Sequence, residues 1–137
     1  MHEYALAEAV VETVKQELAK LETEHLASVT IALGELQNVN EEVFFEGLKT
    51  FLEEEPWDAT HFHTVIEPAS FACNVCGFEW DLTAFPHLTE DEREAIHFLP
   101  ETAHVYIYCP SCHSRDFHVE KGRGVHIQTI EVLKEEA

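Results

Sequence analysis

The sequence predicts an α+β fold: two helices on a small three-stranded mixed sheet, with a cysteine-bearing module inserted before the last strand. Three observations carry this. Near the start, apolar residues recur every three or four positions. Three later segments have the composition and alternation of strands. Four cysteines form two close pairs in the stretch between the second strand and the third.

The first helix rests on Leu6, Val10, Val14, Leu18 and Leu21, one helical face widened by Val11. Glu8, Glu12, Lys15, Glu17 and Lys20 fall between them and face water. The spacing predicts a helix over 4–22, with His2 just upstream of its first turn. In the run from Ser28 to Leu36, Val29, Ile31 and Leu33 alternate with Thr30 and Ala32, a strand that Gly34 breaks or bends. Asn38 or Asn40 can cap a second helix, with Glu41 and Glu42 favourable at the positive end of its dipole. Its stripe is Val43 or Phe44, Leu48, Phe51 and Leu52, and Pro56 ends it. His61 to Pro68 reads as the second strand and Gly124 to Leu133 as the third. In the third, Val125 and Ile127 share one face while Ile130 and Val132 share the other, a phase change that implies a bulge or burial on both sides.

The chain has 137 residues, of which 27 are Asp or Glu and 8 are Lys or Arg, for a formal net charge of −19. That balance opposes nucleic acid and anionic membranes, whose affinity comes from Lys and Arg. It favours cations and basic protein surfaces. No apolar run approaches the roughly 18 residues of a membrane span. The start lacks the basic-then-apolar pattern of a signal peptide. With the cysteines in tight pairs, the expected compartment is reducing and the expected location cytoplasmic.

Cys73 and Cys76, then Cys109 and Cys112, are two C-x-x-C pairs. Two intervening residues let a tight turn aim both sulfurs at one ion, and two such turns complete a tetrahedron with zinc–sulfur bonds of about 2.3 Å. Gly77 follows the first pair, where a positive φ is often needed; His113 holds the matching place in the second. "SFAC", "FEWDL", "HVYIYC" and "DFHVE" read as flanking strands, so residues 70–120 are expected to form a zinc-ribbon domain inserted into an α/β domain of 1–69 and 121–137. A closed four-thiolate site has no open position for substrate, which makes it structural and argues against an enzyme. Iron of the rubredoxin type in an electron-transfer protein, and a zinc-ribbon interaction module, are the alternatives. Between the pairs, Thr89 and Glu92 form a capping box opening a short helix that Pro100 closes, with His97 just before the stop.

The terminus offers a second metal site. The α-amine of Met1, the amide nitrogen of His2 and its imidazole supply three nitrogens in two fused chelate rings; the Glu3 amide could replace the amine. Square-planar nitrogen coordination suits Ni(II) or Cu(II), and a second histidine would complete it. Such binding needs neutral imidazole, so it weakens as pH falls below about 6.5, the free histidine value.

"MHEYALAEAV", "IALGELQNV", "CNVCG" with "CPSCHS", and "KGRGVHIQTIEV", in that order, span the chain, and on them it resembles the HypA/HybF family, nickel metallochaperones of NiFe-hydrogenase maturation. The resemblance implies Ni(II) as transient cargo, held by His2 with Met1 and Glu3, and Zn(II) as a structural ion on the four cysteines. It implies delivery to the NiFe-hydrogenase large-subunit precursor with a HypB-type GTPase as partner; a homodimer is left open. In archaeal-type members with a long segment between the cysteine pairs, a histidine of that segment can join the nickel. The match is His97, with His104 second. His113 departs from the family pattern, which more often has glycine there.

The remaining signals read as structure. His61 and His63 share a strand face in water; His118 and His126 are surface strand residues; Trp57 and Trp80 pack; Glu35 and Gln37 are turn or surface residues.

Overall fold

A computed structural model describes residues 2–36 and 39–133, so the expectations for Met1, Gln37 and Asn38 lie outside the described residues. In chain order the elements are α1 (Glu3–Lys20), β1 (Leu26–Gly34), α2 (Glu41–Leu52), β2 (Phe62–Glu67), β3 (Ser70–Cys73), β4 (Glu79–Asp81), α3 (Glu90–Phe98), α4 (Ala103–Tyr106), β5 (Phe117–Lys121) and β6 (Val125–Val132). This is the expected α+β class. The chain divides into two compact units: among the described residues, one takes in 2–32, 39–65 and 125–133, the other 33–36 and 66–124.

In the first unit, Ala7, Val10, Val11, Val14 and Leu18 form the buried face of α1. The helix stops at Lys20, earlier than its apolar spacing indicates, and Leu21 is 58% exposed. The reason is Glu22, which adopts φ 54. Its amide and that of Thr23 return to the carbonyls of Ala19 and Leu18, each at 3.1 Å. This closure usually uses glycine, so no local signal announced it. Asn40 caps α2, its Oδ1 accepting the Val43 N–H at 3.1 Å. Phe44, Gly47, Leu48 and Leu52 are the buried positions of that helix. Gly47 permits close packing of α2 on α1: a Cβ there would stand 3.0 Å from the Ala7 Cβ.

The sheet of this unit has the order β2–β1–β6, and Val29 and Ile31 of the central strand are buried. Along β6, Val125, Ile127 and Ile130 are half-buried, so the inward phase slips between 127 and 130. Trp57 is buried, its indole N–H donating to the Glu24 carbonyl at 2.9 Å. The second strand begins one residue later than expected. Asp58 accepts the Thr60 N–H at 2.9 Å and caps a 3-10 turn over Ala59–His61. His61 therefore lies in that turn and shares no strand face with the exposed His63.

In the second unit β3 is central, antiparallel to β4 and to β5. Phe71, Trp80 and Phe117 meet at ring-centroid distances of 5.8, 5.6 and 5.2 Å. Ile96, Ala103 and Ile107 pack into the same core, so the long stretch between the cysteine pairs supplies part of it. The capping box is present in both arms: the Glu92 N–H donates to Thr89 Oγ1 at 3.1 Å, and the Thr89 N–H to Glu92 Oε1 at 2.9 Å.

One predicted strand is absent. "HVYIYC" begins in helix α4, not in a strand. Pro100 ends the path of α3 but also opens a 3-10 turn over Pro100–Thr102, which continues into α4. A fixed φ and a missing N–H suit proline to a helical first position. Arg115 then holds the far end, Nη1 donating to the carbonyls of His104 at 3.0 Å and Val105 at 2.9 Å. Val105 and Ile107 would share a strand face, yet Val105 is 68% exposed and Ile107 fully buried.

Candidate metal centre

The two cysteine pairs sit on matching turns. The Cys73 N–H donates to the Phe78 carbonyl at 2.9 Å and the Gly77 N–H returns to the Cys73 carbonyl at 3.0 Å. In the second turn, Cys109 donates to Ser114 at 2.9 Å and His113 to Cys109 at 2.8 Å. Gly77 has φ 78 and His113 φ 64, so the histidine makes the left-handed turn that the first pair assigns to glycine. The first cysteine of each pair is buried and the second exposed.

All four sulfurs lie within 4.8 Å of one another. Cys73 and Cys112 are 3.6 Å apart, Cys76 and Cys109 3.5 Å. A tetrahedron with zinc–sulfur bonds of about 2.3 Å has edges of about 3.8 Å, so the four thiols fit one zinc ion. The first cysteine of each pair also accepts backbone N–H groups: Val75 and Cys76 point at Cys73 Sγ at 3.4 and 3.5 Å, and Cys112 at Cys109 Sγ at 3.4 Å. The Cys76 N–H chiefly pulls the Cys73 thiol down to about 6; burial opposes it and the Val75 N–H adds to it. At Cys112 the Ser114 N–H favours the thiolate, but burial and the three neighbouring thiols push it up to about 12. Four thiolates so close repel one another, and a dication offsets part of their charge.

Asn74 and Arg115 are residues that sequence reasoning missed. Asn74, inside the first turn, donates its backbone N–H to the Asp116 carbonyl and its Nδ2 to Asp116 Oδ1, each at 2.9 Å. It thereby ties the first turn to the strand leaving the second. His118, exposed on β5, donates Nδ1 to Asn74 Oδ1 at 2.6 Å. The only hint in the sequence was a polar residue inside one pair and an Asp shortly after the other. Nothing local marked Arg115 as the cap of α4.

The candidate nickel residues belong to both units. His2 is the N-cap residue of α1, exposed, and its side chain makes no capping hydrogen bond. The Glu3 carboxylate accepts the Asn40 N–H at 3.3 Å, joining the starts of α1 and α2. In the second unit His97 lies half-buried in the last turn of α3. His104 is exposed on α4, its ring stacked on Phe117 at 4.2 Å, and its Nδ1 donates to the Arg115 carbonyl at 3.0 Å. That bond fixes Nδ1 as the protonated nitrogen of the neutral ring.

The family described as "HypA: Hydrogenase/urease nickel incorporation, metallochaperone, hypA" matches residues 1–132. The hydrogenase maturation factor HypA of Pyrococcus abyssi is 42% identical over 137 residues, covering 99% of both chains. That of Thermococcus onnurineus is 38% identical over 136 residues, covering 98% of both. The solution structure of the Ni metallochaperone HypA from Helicobacter pylori shares the fold, with a TM-score of 0.66 at 20% identity over 98% of this chain and 100% of that one. Its match from the first residue to residue 132, together with these relatives, makes the chain a member of the HypA family, the nickel-incorporation metallochaperones of hydrogenase and urease.

Proposed function

We propose that this chain takes up Ni(II) at its N-terminus and gives it up to the NiFe-hydrogenase large-subunit precursor, working with a HypB-type GTPase in the cytoplasm. The ligands are the Met1 amine, the His2 amide and imidazole, and the Glu3 amide as an alternative to the amine. A fourth nitrogen comes from His97, with His104 the second choice. Zinc on Cys73, Cys76, Cys109 and Cys112 holds the domain of 70–120 folded, and the α/β domain of 1–69 and 121–137 carries the nickel. The chain is a carrier and has no catalytic role.

The observation that supports this is the setting of His2. N-cap positions normally hold Ser, Thr, Asp or Asn, whose oxygens accept helix N–H groups. His2 makes no such bond, and the first helical bond, from the Leu6 N–H to the His2 carbonyl at 3.1 Å, leaves the amides of His2 and Glu3 without helical partners. The positive end of a helix dipole disfavours a bare cation. A deprotonated amide nitrogen among the ligands would offset part of the charge of Ni(II) there. Family membership over nearly the whole chain favours this over a rubredoxin-like electron carrier or a zinc-ribbon interaction module.

The test is a metal assay on untagged protein with and without added nickel. Wild type should hold one zinc and gain one nickel. His2→Ala should lose the nickel and keep the zinc, and a short extension before Met1 should weaken nickel by displacing the amine. Unchanged nickel stoichiometry in His2→Ala would sink the terminal site.

A further inference from the structure

We infer that Glu35 and Glu67 are positioning residues, two carboxylates that clasp together the three chain passages at the base of the zinc-binding unit. The chain enters this unit at Leu33, enters it again at Ile66, and leaves it for the last time at Gly124. These passages are bonded in a closed triangle. The first joins the third through backbone bonds: Gly34 N–H to the Gly124 carbonyl at 2.7 Å and Leu36 N–H to the Gly122 carbonyl at 2.8 Å. It joins the second by the Glu35 N–H to the Glu67 carbonyl at 2.9 Å. Side chains do the rest. Glu35 Oε1 accepts the Ala69 N–H at 3.0 Å, and Glu67 Oε1 accepts the Gly122 N–H at 2.8 Å.

The chemistry explains why carboxylates are used. Ala69 and Gly122 are buried, and a buried amide without an acceptor is costly. Both amides lie outside the strands, Ala69 between β2 and β3 and Gly122, with φ 90, just past the end of β5. An ionised carboxylate is a stronger acceptor than a carbonyl and reaches across the gap. Packing leaves no slack: a Cβ on Gly34 would meet the Gly122 carbonyl oxygen at 2.3 Å, and one on Gly122 the Ala69 Cα at 2.5 Å. Within the unit that carries His97 and His104, the three passages are thus tied to one another. Glu35, read from sequence as a turn or surface residue, is a half-buried part of that base.

This inference stands apart from the nickel reading, since either can fail with the other intact. The test is amide hydrogen exchange on the zinc-loaded full chain. Glu35→Ala should speed exchange at Ala69, and Glu67→Ala at Gly122, by about tenfold or more, the loss of one charge-assisted bond. Amides of the Thr89–Glu92 capping box should not change. Glu35→Gln and Glu67→Gln keep an acceptor oxygen of the same reach and should recover most of the protection. Glu35→Asp keeps the charge but not the reach and should behave like the alanine variant. If an alanine variant fails to fold, the Gln and Asp variants decide alone. Ala69 and Gly122 amides as protected as in wild type in the shortened variants, or Gln variants as fast as the shortened ones, would overturn the clasp.

Discussion

Gly77 and His113 occupy the same backbone conformation, φ 78 and φ 64, each one residue past the second cysteine of its pair. The two turns solve one geometric problem with different residues. A side chain in the left-handed region costs about 1–2 kcal/mol, which glycine avoids. A Cβ at Gly77 would meet nothing within 4 Å, so only the backbone opposes a side chain there. Gly77→Ala should therefore destabilise the zinc-loaded protein by about 1 kcal/mol. His113→Gly should stabilise it by about 0.5 kcal/mol, the relief of strain less the entropy of glycine. Thermal unfolding of the two variants checks the opposite signs.

Cys73 sits 3.6 Å from Cys112 and accepts two backbone N–H groups, so it is central to the thiol cluster. Cys73→Ala should lose the zinc. The near-UV circular dichroism of the Phe71, Trp80 and Phe117 cluster should flatten, while the far-UV signal of α1 and α2 persists. A variant that retains a full equivalent of zinc would contradict a shared site.

Gly47 faces Ala7 and Tyr4 across the contact of α1 with α2, where even a Cβ stands 3.3 Å from the Tyr4 Cα. Gly47→Leu should force the helices apart at a cost of about 1–3 kcal/mol, despite leucine's better helix propensity. Chemical denaturation reads this as a lower midpoint with zinc content unchanged.

The Thr83 hydroxyl and then its N–H, both donating to Asp81, hold that carboxyl below the usual carboxylate range against a small opposing effect of burial. A carboxyl whose folded value is depressed adds stability that is present above its unfolded value, about pH 3.9, and is lost as pH falls through the folded value. Asp81→Asn should be less stable than wild type at neutral pH, and the difference should shrink below about pH 4. Stability curves that stay parallel down to acid pH would exclude this role for Asp81.

Some features were legible in the sequence because they depend on neighbours in the chain. The two C-x-x-C turns, the Thr89–Glu92 capping box and the stripe of α1 each need only residues within a turn or two. The end of α1 was not legible, since Glu22 fills a glycine's place without a glycine. The helix at Ala103–Tyr106 was not either. Its apolar residues alternate like a strand, and what holds it helical is Arg115, a residue beyond the second cysteine pair.

By itself the sequence determined the α+β class and the four-thiol site, because periodicity and ligand spacing are local properties. Only the tertiary structure decided that Asn74 and Asp116 bind the two cysteine turns together, that Gly47 makes the helix contact, and that Glu35 and Glu67 serve buried amides. Each of those roles depends on backbones that meet from distant parts of the chain. A buried N–H takes whichever acceptor the fold places within about 3 Å of it, and no spacing along the sequence records that choice.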